Sequence, residues 1–257
     1  MPVVLYEKRD KVAYVTLNRP EVLNAVNAEM VAELGRIWAD FAADPATVVA
    51  IVSGAGERAF SAGTDLKEVR QRAERGEDIG ALLAEWRQIF AEPATRIWKP
   101  SIAAVHGYCL GAGCSIATFC DMRLASPDAQ FGWPEVTVGL PTAQASQWLT
   151  RAIPMGMAME LLLTGDRIDA ETALRVGLVN RLVPRQGLMA AAERIAERIC
   201  ANGTVAVRAT KEMAIRGLNM PVMEGLRFAA LFQGSLRSNK EAIEGARAFV
   251  ERKKAKP

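Results

Sequence analysis

The stretch from Ser101 to Glu135, SIAAVHGYCLGAGCSIATFCDMRLASPDAQFGWPE, constrains this chain more than any other. Ile102-Ala103-Ala104-Val105 has strand character and feeds a Gly-rich turn, Gly107 to Gly113. A short apolar helix is expected from Cys114 to Cys120. The first N–H groups of a helix have no partner within it, and the helix dipole makes that end attractive to negative charge. Glycine lets another backbone or a ligand come close. The turn therefore offers N–H donors to an anion, or to an oxygen becoming one. Glu135 follows Phe131-Gly132-Trp133-Pro134, in a segment otherwise poor in charge. A carboxylate in such surroundings suits proton transfer near neutrality.

Half of the 257 residues are hydrophobic, enough for a large core in one domain, with or without an appendage. A net charge of +3 is too small to indicate nucleic acid. Lys and Arg are scattered, apart from Arg252-Lys253-Lys254-Ala255-Lys256, which reads as a solvated end. The cysteines at 109, 114, 120 and 200 form no C-x-x-C pair and read as buried thiols of a reducing compartment. His106 is the sole histidine, so a zinc site would need mixed, badly spaced ligands, and no metal is expected. No signal peptide is visible, and no apolar run is long enough to span a bilayer. A cytoplasmic enzyme, with no nucleic-acid or membrane partner, is the expectation.

Val3 to Glu7 and Val12 to Leu17 read as a hairpin. Asn27 can cap a helix whose Val31, Leu34, Trp38 and Phe41 form one apolar stripe. Val48 to Val52 has the mark of a strand buried on both faces. Leu82, Leu83, Trp86, Ile89 and Phe90 give a second helical stripe that Pro93 kinks or ends. Short strands follow at Asp121 to Ala125 and Ala129 to Phe131, then helices at Ala143 to Arg151 and Met155 to Leu163. Asp169 caps another short helix, and Val179 to Val183 is the last strand. From Leu188 onward the chain is helical, divided at Asn202-Gly203, Asn219 to Pro221 and Ser238, where Ser238 to Glu241 forms a capping box. The pattern is an α/β core over 1–190 followed by a helical region over 191–257.

Two segments have competing readings. Gly54-Ala55-Gly56-Glu57-Arg58-Ala59 satisfies G-x-G-x-x-A, but a dinucleotide loop should open directly into a helix, and Phe60 to Gly63 intervene. A Gly-rich surface turn covers it. Residues 66–98 are rich in charge and suit either a mobile lid beside a site or a solvent-facing helix.

Four motifs occur in order: Asn18-Arg19-Pro20-Glu21 with Leu23-Asn24-Ala25; Phe60 to Lys67, FSAGTDLK; Lys99 to Cys114 with Cys120-Asp121; and Phe131 to Glu135, FGWPE. Leu162-Leu163-Thr164-Gly165, Ala170 and Gly177-Leu178-Val179-Asn180 follow. With these the chain resembles the crotonase, or enoyl-CoA hydratase/isomerase, superfamily over essentially its whole length. The resemblance implies an α/β spiral of ββα units with a C-terminal helical oligomerisation region, assembled as trimers or pairs of trimers. It implies acyl-CoA thioester substrates and no other cofactor. The thioester oxygen becomes an enolate held by two backbone N–H groups, which by motif position belong to Thr64 and Ala112. The CoA pocket draws on Val22, Leu23, Ala25, Ala62, Asp65 and Leu66. A basic side chain near the tail meets the nucleotide end, in the same subunit or across a boundary.

The chain departs from the hydratase pattern at one acid. Family hydratases carry a Glu after the Gly-rich turn and another in Pro-Glu. Here the first position is Ser115 and the second Glu135. A serine hydroxyl does not ionise as a carboxylic acid does. Water addition is hard to arrange with one carboxylate, whereas a 1,3-proton shift needs only one. Double-bond migration of the Δ3,Δ2 type, with Glu135 moving the proton, is therefore the favoured expectation. A hydratase or an acyl-CoA hydrolase on the same scaffold, and a CoA-ester-binding protein without turnover, are the alternatives. Thr142 and Gln144 replace glycines near the acyl pocket and could contact a polar acyl group. Ser115 as a nucleophile with His106 as base lacks a visible orienting acid.

Overall fold

The computed structural model describes residues 1–236 together with 241, 243, 244 and 247. The capping box at Ser238 and the basic tail lie outside the described residues. The chain opens with an antiparallel hairpin, β1 (Val4–Arg9) and β2 (Val12–Leu17), followed by α1 (Ala28–Ala43). Asn27 Oδ1 accepts from the Met30 N–H at 3.0 Å, the expected cap. Met30, Val31, Leu34, Ile37, Trp38 and Phe41 are all buried on the face turned inward.

Three strand–turn–strand–helix units come next. The first is β3 (Val49–Gly54), β4 (Ala59–Ser61), α2 (Leu66–Glu74) and α3 (Ile79–Thr95). The second is β5 (Ser101–Val105), β6 (Tyr108–Leu110) and α4 (Ala112–Phe119). The third is β7 (Met122–Ala125), β8 (Gln130–Gly132) and, after a 3-10 turn at Pro134–Val138, α5 (Ala143–Ala152). This succession is the spiral of ββα units. The chain continues through α6 (Met155–Thr164), β9 (Arg167–Asp169), α7 (Ala170–Arg175) and β10 (Arg181–Leu182), then α8 (Leu188–Cys200), α9 (Thr204–Gly217) and α10 (Val222–Ser235).

The strands sort into two sheets. The first strand of each unit joins a six-stranded sheet, ordered β1-β2-β3-β5-β7-β10 and parallel from β2 onward. The second strand of each joins a four-stranded sheet, ordered β4-β6-β8-β9. Both faces of the larger sheet are covered, so its central strands read as unbroken apolar runs. Successive side chains still alternate. Ala50, Val52, Ala103 and Val105 face the main core with α1 and α4. Val49, Ile51, Ile102 and Ala104 face α8, meeting Leu188, Ala191, Ala192 and Ala196.

Pro93 lies inside α3, two residues before its end, so the helix closes within one turn of it. The Gly54 to Arg58 turn leads into β4, a strand without a sequence signature of its own.

One buried ion pair ties α9 to the core. Lys211 Nζ donates to Asp121 Oδ2 at 2.8 Å and to the carbonyls of Pro93 at 2.6 Å and Lys99 at 3.0 Å. Asp121 Oδ2 also accepts from the Ser101 N–H at 2.7 Å and the Ser101 hydroxyl at 3.1 Å. Burial pulls the Lys211 pKa down, and the adjacent Asp121 opposes that pull. Removing one member strands the other away from water. Asp121→Ala is expected to lose about 3 kcal/mol, the low end for breaking such a pair because Asp121 retains some exposure. A urea titration reads this as a lower midpoint with unchanged slope. An unchanged midpoint would contradict the anchoring role.

Candidate active site

The site is built where the second sheet meets the start of α4. Ala112 is the first residue of α4, so its N–H has no partner four residues back. Thr64 forms a parallel bridge with Val26, and the bonds of that bridge are made by its neighbours. Val26 N–H donates to the Gly63 carbonyl at 2.8 Å, and Asp65 N–H donates to the Val26 carbonyl at 2.8 Å. The N–H of Thr64 itself therefore points to the opposite side. Among the described residues, neither the Thr64 nor the Ala112 N–H donates to a backbone carbonyl. Both residues line one cavity of about 160 Å3.

Two glycines hold these backbones together. Gly63 has φ +97, and a β-carbon there would stand 2.8 Å from the Leu110 carbonyl oxygen and 3.4 Å from the Ala112 nitrogen. A β-carbon on Gly113 would stand 2.6 Å from both the Cβ and the carbonyl oxygen of Ser61. A side chain at either position would push the segment carrying Thr64 away from the start of α4.

Glu135 stands in the turn Pro134–Val138, on the cavity wall. A β-carbon added at Gly111 would lie 3.3 Å from Glu135 Oε1, so the carboxylate rests against the residue that precedes Ala112. Ser115 N–H donates to the Gly111 carbonyl at 3.0 Å, which puts Ser115 one helical turn further along, about 6 Å by the rise of a helix. The cavity thus has paired backbone donors, one carboxylate and several hydroxyl side chains, Ser115 and Thr142 among them. Leu66, Val69, Leu83, Trp86 and Phe90 close it from α2 and α3, and Val138, Leu140 and Thr142 close it from the other side.

Seven of the residues singled out by sequence line this cavity: Ala62, Thr64, Leu66, Ala112, Ser115, Glu135 and Thr142. Gln144 lines it too. Val22, Leu23, Ala25 and Asp65 do not. Leu23 and Val26 instead run beside the donor segment, with the Leu23 carbonyl accepting from the Ala62 N–H at 2.9 Å. Asp65 caps α2 by accepting from Glu68 N–H at 3.3 Å and pairs with Arg19 at 3.0 Å. Arg19 in turn donates to the Ala25 carbonyl at 2.7 Å.

Asn24 carries a structural task that its motif did not reveal. It is fully buried at φ +54, a conformation asparagine tolerates. Its Nδ2 donates to the carbonyls of Ala55 at 2.9 Å and Ala59 at 2.8 Å, and its Oδ1 accepts from Arg19 N–H at 2.9 Å. It fixes the loop that holds the Thr64 donor. His106 lies in a separate crevice with Arg185, away from Ser115. Burial, aided by the charge of Arg185, lowers its pKa. Trp133 is fully buried and is not part of the cavity lining, which makes it packing.

The α/β spiral brings two backbone N–H groups without backbone acceptors and one carboxylate to the same cavity, an arrangement chemically suited to holding an oxyanion while a proton moves. Residues 7–256 match the family model described as enoyl-CoA hydratase/isomerase, and the chain belongs to that family. It is 43% identical to the (E)-benzylidenesuccinyl-CoA hydratase of Thauera aromatica, over 98% of this chain and 97% of that one. It is 38% identical to the short-chain-enoyl-CoA hydratase of Clostridium acetobutylicum, over 98% and 95%. Among solved structures, the enoyl-CoA hydratase of Mycobacterium marinum superposes with a TM-score of 0.89 at 37% identity, covering 98% of this chain and 97% of that one.

The seam at Gly63 is open to a direct check. Gly63→Ala is expected to lower kcat on an enoyl-CoA thioester by about 10²–10³-fold, the loss typical of one misplaced oxyanion donor. The far-ultraviolet circular dichroism spectrum should stay native. Activity within a few-fold of the unsubstituted protein would remove Thr64 from the site.

Proposed function

We propose that this protein adds water across the 2,3 double bond of a 2-enoyl-CoA thioester, with Glu135 as its one acid–base group. The observation that carries this reading is the position of the Glu135 carboxylate against Gly111, beside the Ala112 donor. The hydratase relatives, matched over nearly the whole chain, support water addition over the double-bond migration that a lone acid first suggested.

One carboxylate suffices when it acts twice. Glu135 accepts a proton from water as the water oxygen bonds to C3. The electron pair of the double bond moves toward the thioester, whose oxygen takes the negative charge. The N–H groups of Thr64 and Ala112 hold that oxygen, each worth about 2.7–4 kcal/mol of barrier. The Glu135 carboxyl then returns its proton to C2, the enolate collapses, and one water has been added. Proton and hydroxyl arrive from the wall that carries Glu135, so the addition is syn. The same residues could move a proton between C4 and C2 of a 3-enoyl thioester. The absence of an acid at 115 keeps that second reading in play.

Incubation with matched 2-enoyl and 3-enoyl thioesters separates the two, with thioester absorbance and product mass as readouts. Hydration of the 2-enoyl substrate is expected, giving a syn product in D2O. Glu135→Gln should reduce it by about 10²–10⁴-fold, the range for loss of a general acid–base. Double-bond migration without water uptake would establish the isomerase instead.

The assembly is read from α10. Val222, Met223, Leu226 and Leu231 are each at least 60% exposed, and α10 buries none of its own residues. An apolar helix of this kind marks an interaction surface. We infer a homotrimer, alone or paired, that covers it. Leu226→Asp with Leu231→Lys should shift sedimentation toward the monomer. An unshifted oligomer, or a monomeric parent, would exclude α10 as the interface.

A further inference from the structure

Ser115 and Thr142 are polar groups without work to do inside the protein. Ser115 is 6% exposed, lies on the first turn and a half of α4, and faces the cavity. Serine and threonine within helices commonly bond back to a carbonyl three or four residues earlier. Here Thr118, Ser146, Thr150 and Thr164 do so, at 2.7 to 3.1 Å. Among the described residues no such bond is made by the Ser115 hydroxyl, which stands free on the cavity wall. Thr142 occupies the N-cap position of α5, where a hydroxyl ordinarily accepts from a first-turn N–H, yet it makes no such bond. Its Oγ1 is buried and has no hydrogen-bond partner. Leaving such a group unbonded costs free energy unless something else bonds it.

The two hydroxyls share one cavity with the N-termini of α4 and α5, since Ala112, Ala143, Gln144 and Ala145 line it as well. Both helix starts favour negative charge. Among the described lining residues Glu135 is the one charged side chain. At position 115, the resemblance to family hydratases puts a second carboxylate. The cavity here holds a neutral donor in its place. A substrate carboxylate could stand there without facing a second fixed negative charge.

We propose that Ser115 and Thr142 form a subsite for an acyl group that carries its own carboxylate close to the reacting double bond. The inference rests on the hydratase reading for the position of the alkene. The substrate class is then a branched 2-enoyl thioester with a carboxymethyl-type arm, not a plain fatty-acyl chain. Ser115 selects by what it donates and by the charge it lacks. Thr142 supplies a second hydroxyl.

The test compares 2-enoyl-CoA thioesters branched at C2 or C3 with a carboxymethyl, a carboxamidomethyl or an isobutyl arm. These arms match closely in size and differ in charge and polarity. The carboxymethyl compound is expected to exceed both others in kcat/KM by at least about tenfold, the value of a hydrogen bond to a charged group. Ser115→Ala and Thr142→Val should each shrink that ratio several-fold. Ser115→Glu should invert it through like-charge repulsion. Calorimetric binding of the saturated carboxymethyl and isobutyl acyl-CoA analogues gives a readout that does not need turnover. A binding preference for the carboxymethyl analogue with no hydration of any substrate would uphold the subsite while removing the hydratase reading. Equal kcat/KM and equal binding across the three arms would overturn the subsite. So would a preference that survives both the Ser115 and the Thr142 substitutions.

Discussion

The contact between the Gly63 segment and the start of α4 is the constraint on which the site depends. Two stretches of backbone approach so closely that a methyl group at Gly63 or Gly113 would overlap a neighbouring carbonyl. That approach is what brings a bridge-edge N–H and a helix-start N–H to one cavity. Neither donor belongs to a side chain, so neither rotates away when the cavity is empty. Donors fixed in this manner stabilise a developing oxyanion without reorganising at the moment of reaction. The fold contributes the same geometry whichever proton is moved, so the choice of reaction falls to the surrounding walls.

Those walls come from different parts of the chain, held in register by the small four-stranded sheet. β6 delivers α4, β8 delivers the turn that carries Glu135, and β4 delivers the Thr64 segment. The six-stranded sheet lies behind and supplies bulk. Its two buried faces make it rigid, and α8 seals the far side. The division explains why a short carboxylate-bearing turn can be held against Gly111 although Glu135 itself lies in no strand or long helix. Position is set by the sheet on one side and by α6 packing against the turn on the other, where a β-carbon at Gly165 would meet Thr137 Cγ2 at 2.7 Å.

Much of this was legible in the sequence. The central strands β2, β3 and β5 are five or six mostly apolar residues long and announce themselves, and the helix stripes at Val31–Phe41 and Leu82–Phe90 have the right period. The smaller sheet was not fully legible, because β4, β6 and β9 have three residues each and owe their pairing to distant partners. A strand that short has no periodicity to read. Motif position pointed to Thr64 and Ala112, and both stand on the cavity wall. Asp65 and Arg19 were harder, because their charges serve the loop that frames the site. Trp86 and Phe90 showed a helical stripe, but nothing in that stripe says which end faces a cavity.

The replacement of an acid by Ser115 bears on how Glu135 can work. Two carboxylates sharing a site repel, and that repulsion drives one toward its protonated form. Such a pair divides the labour, one acting as acid and the other as base. A lone carboxylate is free of that coupling and can serve as base in one half-reaction and acid in the next, because the proton it takes is the proton it gives back. The cost is loss of a second group to orient water. The Ser115 hydroxyl, one helical turn beyond Gly111 on the same cavity wall and unbonded by the protein, is suited to help there when no substrate arm occupies it. Under the proposed hydration, the chemistry rests on one group that shuttles a proton, and selectivity rests on what stands at position 115 in place of an acid.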